Sequence, residues 1–96
     1  MNVFWTRRSK TRFQEISEFI TVKFGDQSSE KFRNKVFNFI ELLERFPELG
    51  MMEVPEKNIR GFQVSKQTRI FYRINKDHIS LLTFFDSRQN PNKKPK

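Results

Sequence analysis

Arg69, Phe71 and Arg73 alternate with Ile70, Tyr72 and Ile74, so in a strand the two arginines and the ring between them share one face. Lys66 and Lys76 bracket that row, and Arg88 lies beyond it. A guanidinium presents a fixed fork of donors that matches phosphate or carboxylate oxygens, and an exposed ring can stack on a base. The row is therefore a candidate anion- or target-binding face made of Lys66, Arg69, Phe71, Arg73 and Arg88. It reads equally well as the wet side of a sheet whose arginine stems cover Phe71.

Groups able to move a proton are scarce. His78, the one imidazole, falls at a predicted turn beside Asp77, which favours a structural role. Glu41, Glu44 and Glu48 stand at helical spacing and read as a solvated face, while Glu53 and Glu56 flank the loop ahead of the row, where one of them could face a cleft. Gly25, Gly50 and Gly61 are too far apart for a phosphate loop, and nothing around the lone His supports a Ser/His/Asp triad. With no Cys and one His, disulfides are excluded, and neither a metal site nor a cofactor is expected.

Charge is distributed unevenly. Residues 1–56 hold nine basic and nine acidic side chains, whereas residues 57–96 hold ten basic against only Asp77 and Asp86, which accounts for the whole net charge of +8. Such clustering suits a polyanion or an acidic partner; the plainer alternative is solubility. The run Arg7, Arg8, Lys10 and Arg12 is a second oddity, because cations at a helix start oppose the macrodipole. Either the run serves a partner or the helix begins later, near Thr11.

A chain of 96 residues is long enough for one domain, read as 1–90, with a basic Pro/Asn/Lys tail over 91–96 that reads as disordered. The mean hydropathy is −0.74, no apolar run approaches the roughly 20 residues of a membrane span, and no membrane association is expected. No apolar h-region stands behind a basic start in residues 1–7, so cytoplasm is the expected compartment.

Hydrophobic spacing predicts the elements that would position these residues. Val3-Phe4-Trp5 suits a first strand, and Thr6 or Ser9 can cap a helix directly after it. Apolar residues at 13, 16, 20 and 24 predict a helix over 7–24 that stops at Gly25; those at 32, 36, 39, 40 and 43 predict a second over 29–46, with a link of about four residues at 25–28. Two such helices form an antiparallel hairpin about 27 Å long. Phe19, Val22, Phe37 and Leu42 fall off these stripes and give the hairpin a second apolar side. From 59 the period changes to two, predicting antiparallel strands at 59–64, 68–74 and 78–85. The fold expected is α+β: an N-terminal strand, a helical hairpin and a three-stranded meander, in the order β-α-α-β-β-β.

Over nearly its whole length the sequence resembles the RelE/ParE superfamily of type II toxin–antitoxin toxins. The matching features are the opening strand, Phe24-Gly25 at the end of the first helix, Phe46-Pro47-Glu48-Leu49-Gly50 closing the second, Thr68-Arg69-Ile70-Phe71-Tyr72-Arg73-Ile74, and Leu81-Leu82-Thr83-Phe84-Phe85-Asp86-Ser87-Arg88. Pro-Glu-Leu-Gly and the helix lengths look more like the ParE branch. The resemblance implies a basic toxin silenced by a cognate acidic antitoxin, for which Phe19, Phe37 and Arg73 are candidate contacts. RelE-like members cut messenger RNA in the ribosomal A site with lysines, arginines and a C-terminal tyrosine, whereas ParE-like members poison DNA gyrase without a recognised catalytic site.

Arg69 and Arg88 fall on two of the RelE cationic positions and are the candidate catalytic residues on that reading. The RelE strand lysines do not carry over, because the strand reads Gly61-Phe62-Gln63-Val64; no tyrosine comes after Arg88, and the tail lacks the terminal histidine of YoeB-type relatives. RNA cleavage through the 2′-OH needs a proton acceptor, a holder for the charged phosphate and a proton donor. Arginines supply only the second. Three readings result: a ParE-like toxin that binds DNA gyrase or another essential machine, a RelE-like ribosome-dependent endonuclease, or a non-enzymatic nucleic-acid-binding module.

Overall fold

A computed structural model describes residues 1–89, so the expected tail over 91–96 lies outside the described residues. The chain opens with strand β1 (Asn2–Trp5), which pairs parallel with the last strand. That pairing fixes where helix α1 (Arg7–Phe24) begins: the Thr6 hydroxyl donates to the Leu81 carbonyl at 2.7 Å and accepts from the Ser9 N–H at 3.1 Å, capping the helix. The alternative start near Thr11 is thus incorrect. Arg7, Arg8 and Lys10 are exposed at the helix start, with no acidic residue in the first turn.

Helix α2 (Asp26–Arg45) starts three residues before the expected 29, and the four-residue link shrinks to Gly25 alone. Gly25 has φ 93° and ψ 170°, a backbone conformation open to glycine that reverses the chain without further loop residues. Phe13 packs on Phe32 and Phe37 at 5.5 and 5.6 Å, and Phe13 and Phe37 lie equally far along the chain from Gly25, as an antiparallel pair requires. Phe24, expected in the buried stripe, is half exposed because it stands where the chain turns away.

The sheet has five strands in the order β1-β5-β4-β3-β2, with β2 (Met51–Val54), β3 (Ile59–Gln63), β4 (Thr68–Ile74) and β5 (His78–Asp86) forming antiparallel pairs in succession. The three-stranded meander is thus extended by one strand, β2, which the sequence reading assigned to a loop. With Met51, Met52 and Glu53 all exposed, β2 carries no inward–outward alternation to reveal it.

One face of the sheet carries the hairpin. Ile16 and Ile20 of α1, with Phe32, Val36, Phe39 and Leu43 of α2, bury against Ile70 and Tyr72 of β4 and Ile79, Leu81 and Phe84 of β5. Register shifts where Phe71 pairs with Thr83 and Tyr72 with Leu81, so Leu82 is an extra residue in β5. This bulge reverses the parity of the strand: Ile79 and Leu81 point inward before it, and Phe84 and Asp86 after it. Among the described residues no helix is long and apolar enough to cross a membrane.

Candidate functional site

On the open face, β4 presents Arg69, Phe71 and Arg73 as the alternation predicts, each partly exposed beside the buried Ile70 and Tyr72. The Arg69 guanidinium lies 5.8 Å from the Phe71 ring centre. Neither arginine is idle. Arg69 ion-pairs with Glu53 and donates to the Gln63 side-chain oxygen at 3.1 Å, and Arg73 Nε donates to the Lys57 carbonyl at 2.9 Å. Glu53 reaches Arg69 because it stands at a register shift between Met52 and Val54, with its side chain crossing over Gly61. Lys66 is exposed in the β3–β4 turn and Lys76 in the β4–β5 turn.

Gly61 leaves the gap that this crossing needs: a Cβ there would lie 2.5 Å from the Glu53 carboxylate and 3.1 Å from Arg69 Nε. Glu53 is a flexible side chain and can move aside, so Gly61→Ala should displace it from Arg69 at a cost of no more than about 1 kcal/mol, the scale of a partly exposed pair. Faster solvent exchange of the Arg69 Nη2 protons, with a nearly unchanged unfolding midpoint, is the expected result. An exchange rate equal to that of the parent protein would show that the gap is irrelevant.

Arg88 is on the other side of the sheet. Thr68 is buried against the hairpin, directly before the outward Arg69, and its hydroxyl donates to Asp86 Oδ2 at 2.6 Å. Arg88 grips the same carboxylate through Nε at 3.0 Å, Nη2 at 2.8 Å and its backbone N–H at 3.0 Å. Burial alone would push the Asp86 carboxyl up, but the hydrogen bonds from Arg88 and Thr68 and the Arg88 charge outweigh it and hold the group below the usual carboxylate range. The two arginines matching RelE cationic positions are thus not brought together; they face opposite sides of the sheet, each neutralised by a carboxylate of its own chain.

His78 Nε2 lies 3.1 Å from the Asn75 amide nitrogen and Nδ1 lies 2.8 Å from Asp77 Oδ1, and the Phe4 ring packs on the imidazole edge-on at 5.2 Å. The hydrogen bond to Asp77 and the histidine charge hold the exposed Asp77 carboxyl below its ordinary value. The imidazole closes a turn, in line with its structural reading.

Phe19 and Phe37 occupy separate hollows. Phe37, nearly half exposed, lines an apolar groove with Trp5 and Phe13 between the two helices, rimmed by Lys10 and Arg33. Phe19 lines a second hollow with Arg12, Val22 and Phe85 beside the end of β5. Arg73 is on the opposite face from the hairpin, so these three candidate contacts form no single patch. The sequence reading missed Trp5 and Phe13 as groove walls; their spacing on either side of the Thr6 cap was the signal. It also missed Asp86, whose place two residues before Arg88 was the clue to their pairing.

The family model for the ParE toxin of type II toxin–antitoxin systems, parDE, matches residues 3–91. Among solved structures, the chain is similar to one titled as the chromosomal ParDE TA system from P. aeruginosa. There the identity is 19% and the TM-score 0.75, covering 90% of this chain and 95% of that one. A YoeB/ParE toxin from Agrobacterium tumefaciens is similar at 15% identity and a TM-score of 0.61, with 90% and 98% covered. No curated protein matches the sequence.

Proposed function

Because the chain belongs to the ParE toxin family of type II toxin–antitoxin systems, we propose that it arrests growth by binding DNA gyrase in the cytoplasm, without cutting RNA. The observation that carries this reading is the separation of Arg69 from Arg88, each held by Glu53 or Asp86. A nuclease needs cations gathered on one phosphate with a proton acceptor and donor beside them. Here the guanidiniums diverge, arginine stays protonated, and the one His is engaged in a turn. Binding as a protein demands none of this.

The toxin's partner is its cognate antitoxin. An acidic antitoxin segment with apolar anchors suits the groove at Phe37, where Lys10 and Arg33 supply complementary charge. Phe19 lies on the other side of α1, in a hollow walled also by Glu15 and Glu18, so contact there requires the segment to cross the helix. Contact with Arg73 requires the segment to pass onto the open face.

Purified toxin incubated with gyrase and plasmid should block supercoiling and trap cleavage complexes, and added antitoxin should restore activity. Unchanged supercoiling at saturating toxin would remove gyrase as the target. If transcripts from induced cells instead show new 5′ ends within codons that vanish with Arg88→Ala, the endonuclease reading replaces this one.

A further inference from the structure

We propose that the hollow between α2 and the β3–β4 turn binds a phosphate monoester, at a site separate from the antitoxin groove at Phe37 and from the open face of the sheet. The hollow holds about 120 Å³ and is walled by Ser28, Lys31 and Lys35 of α2, by Ser65 and Gln67 of the turn, and by Arg88. That is about four waters' share of liquid, room for one tetrahedral oxyanion but not for a base and sugar, which would remain outside.

Its charge is compensated only at Arg88, by Asp86. Lys31 and Lys35 are one helical turn apart, a like-charge spacing that weakens a helix, and among the described residues neither has a carboxylate partner. No acidic side chain lines the hollow. Asp86, buried behind it, orients Arg88 through Nε and Nη2, and Nη1 has no partner among the described residues. Three cations against one carboxylate leave a local charge of +2, which matches the roughly −1.5 to −2 of a monoester better than the single charge of a diester.

Donors complete the site. Ser65 Oγ accepts from the Gln67 and Thr68 N–H groups at 3.2 and 3.1 Å and donates to the Gln67 side-chain oxygen at 3.5 Å, a long bond that a phosphoryl oxygen in the hollow can replace. Ser28 adds a second hydroxyl one turn from Lys31. Lysines as point charges, an arginine fork with a spare edge and hydroxyls are the groups that recognise a phosphoryl end.

The test is an amide NMR titration of the full chain with inorganic phosphate at constant ionic strength, chloride being the balancing ion. Saturable shifts confined to Ser28, Lys31, Ser65 and Gln67 are expected. Lys31→Gln with Lys35→Gln should lower the affinity roughly tenfold or more, the scale of lost charge-assisted hydrogen bonds, while Lys57→Gln leaves it unchanged. Shifts spread over the basic surface, or surviving the double substitution, would overturn the site. Adenosine monophosphate and a short 5′-phosphorylated oligonucleotide then separate a free nucleotide from a chain end, binding by either supporting the monoester. Equal binding of the 5′-hydroxyl oligonucleotide would assign a diester and defeat the proposal.

Discussion

Asp86→Ala should destabilise the toxin by about 3 kcal/mol at neutral pH, lowering the thermal midpoint by about 12 °C or more for a chain of this size. The carboxylate is fully buried and accepts from Thr68, from the Arg88 backbone and twice from the Arg88 guanidinium. Removing it strands a buried hydroxyl and a cation together. The value is at the low end for breaking a buried pair because Arg88 keeps some exposure and can turn toward water. A double substitution with Arg88→Ala should cost less than the sum of the two single losses, since the second change removes the stranded charge. Urea unfolding of the four proteins reads all of this, and an unchanged midpoint for Asp86→Ala would refute it.

The same group predicts a pH effect. Its carboxyl is held below the ordinary value in the folded state, so its contribution is complete above the unfolded value near pH 4 and fades as pH falls through the lower folded value. The parent protein should therefore lose more stability than Asp86→Asn as pH falls below about 4. Parallel pH profiles for the two would assign acid sensitivity to other carboxylates.

Much of the fold was legible because local and tertiary preferences agree. Thr6 is a good cap, and its hydroxyl is tied to β5 as well. The apolar stripe through Ile16, Ile20, Phe32, Val36, Phe39 and Leu43 is the buried one, and β4, free of bulges within itself, shows Arg69, Phe71 and Arg73 on the face that simple alternation assigns. The candidate site was less legible because it depends on irregularities. Strict alternation through β5 from Ile79 would place Asp86 on the open face; the extra residue Leu82 turns it inward to meet Thr68 and carries Arg88 to the hairpin side. Likewise Glu53 meets Arg69 only because a register shift in a four-residue edge strand aims it across Gly61. Bulges arise from pairing between distant segments, and a side-chain pattern read along one segment does not contain them.

Tyr72→Ala should be the most damaging single truncation, at about 3–5 kcal/mol for loss of a buried aromatic ring. The ring is completely buried under Phe39, and its hydroxyl joins two parts of the chain that sequence places far apart: it accepts from the Gly50 N–H at 2.7 Å and donates to the Pro47 carbonyl at 2.8 Å. That clamp holds the end of α2 and the entry to β2 against the centre of the sheet. Tyr72→Phe keeps the ring and strands both backbone groups, for a loss of about 1–3 kcal/mol. Gly50→Ala should resemble it or exceed it, because a Cβ would fall 2.8 Å from the ring and 2.9 Å from the Gly61 carbonyl, neither of which can swing away. Burial pushes the phenol up despite the Gly50 hydrogen bond and the nearby Arg60 charge, so the folded protein favours the neutral form. The clamp's contribution is then complete below pH 10 and is lost as pH rises through the higher folded value. Tyr72 is the single tyrosine of the chain, so phenolate absorbance reports it alone. Ionisation above pH 10, accompanied by unfolding that Tyr72→Phe does not show, is the expected result; a phenol titrating at its ordinary value in a protein that stays folded would mean that the clamp is open to solvent.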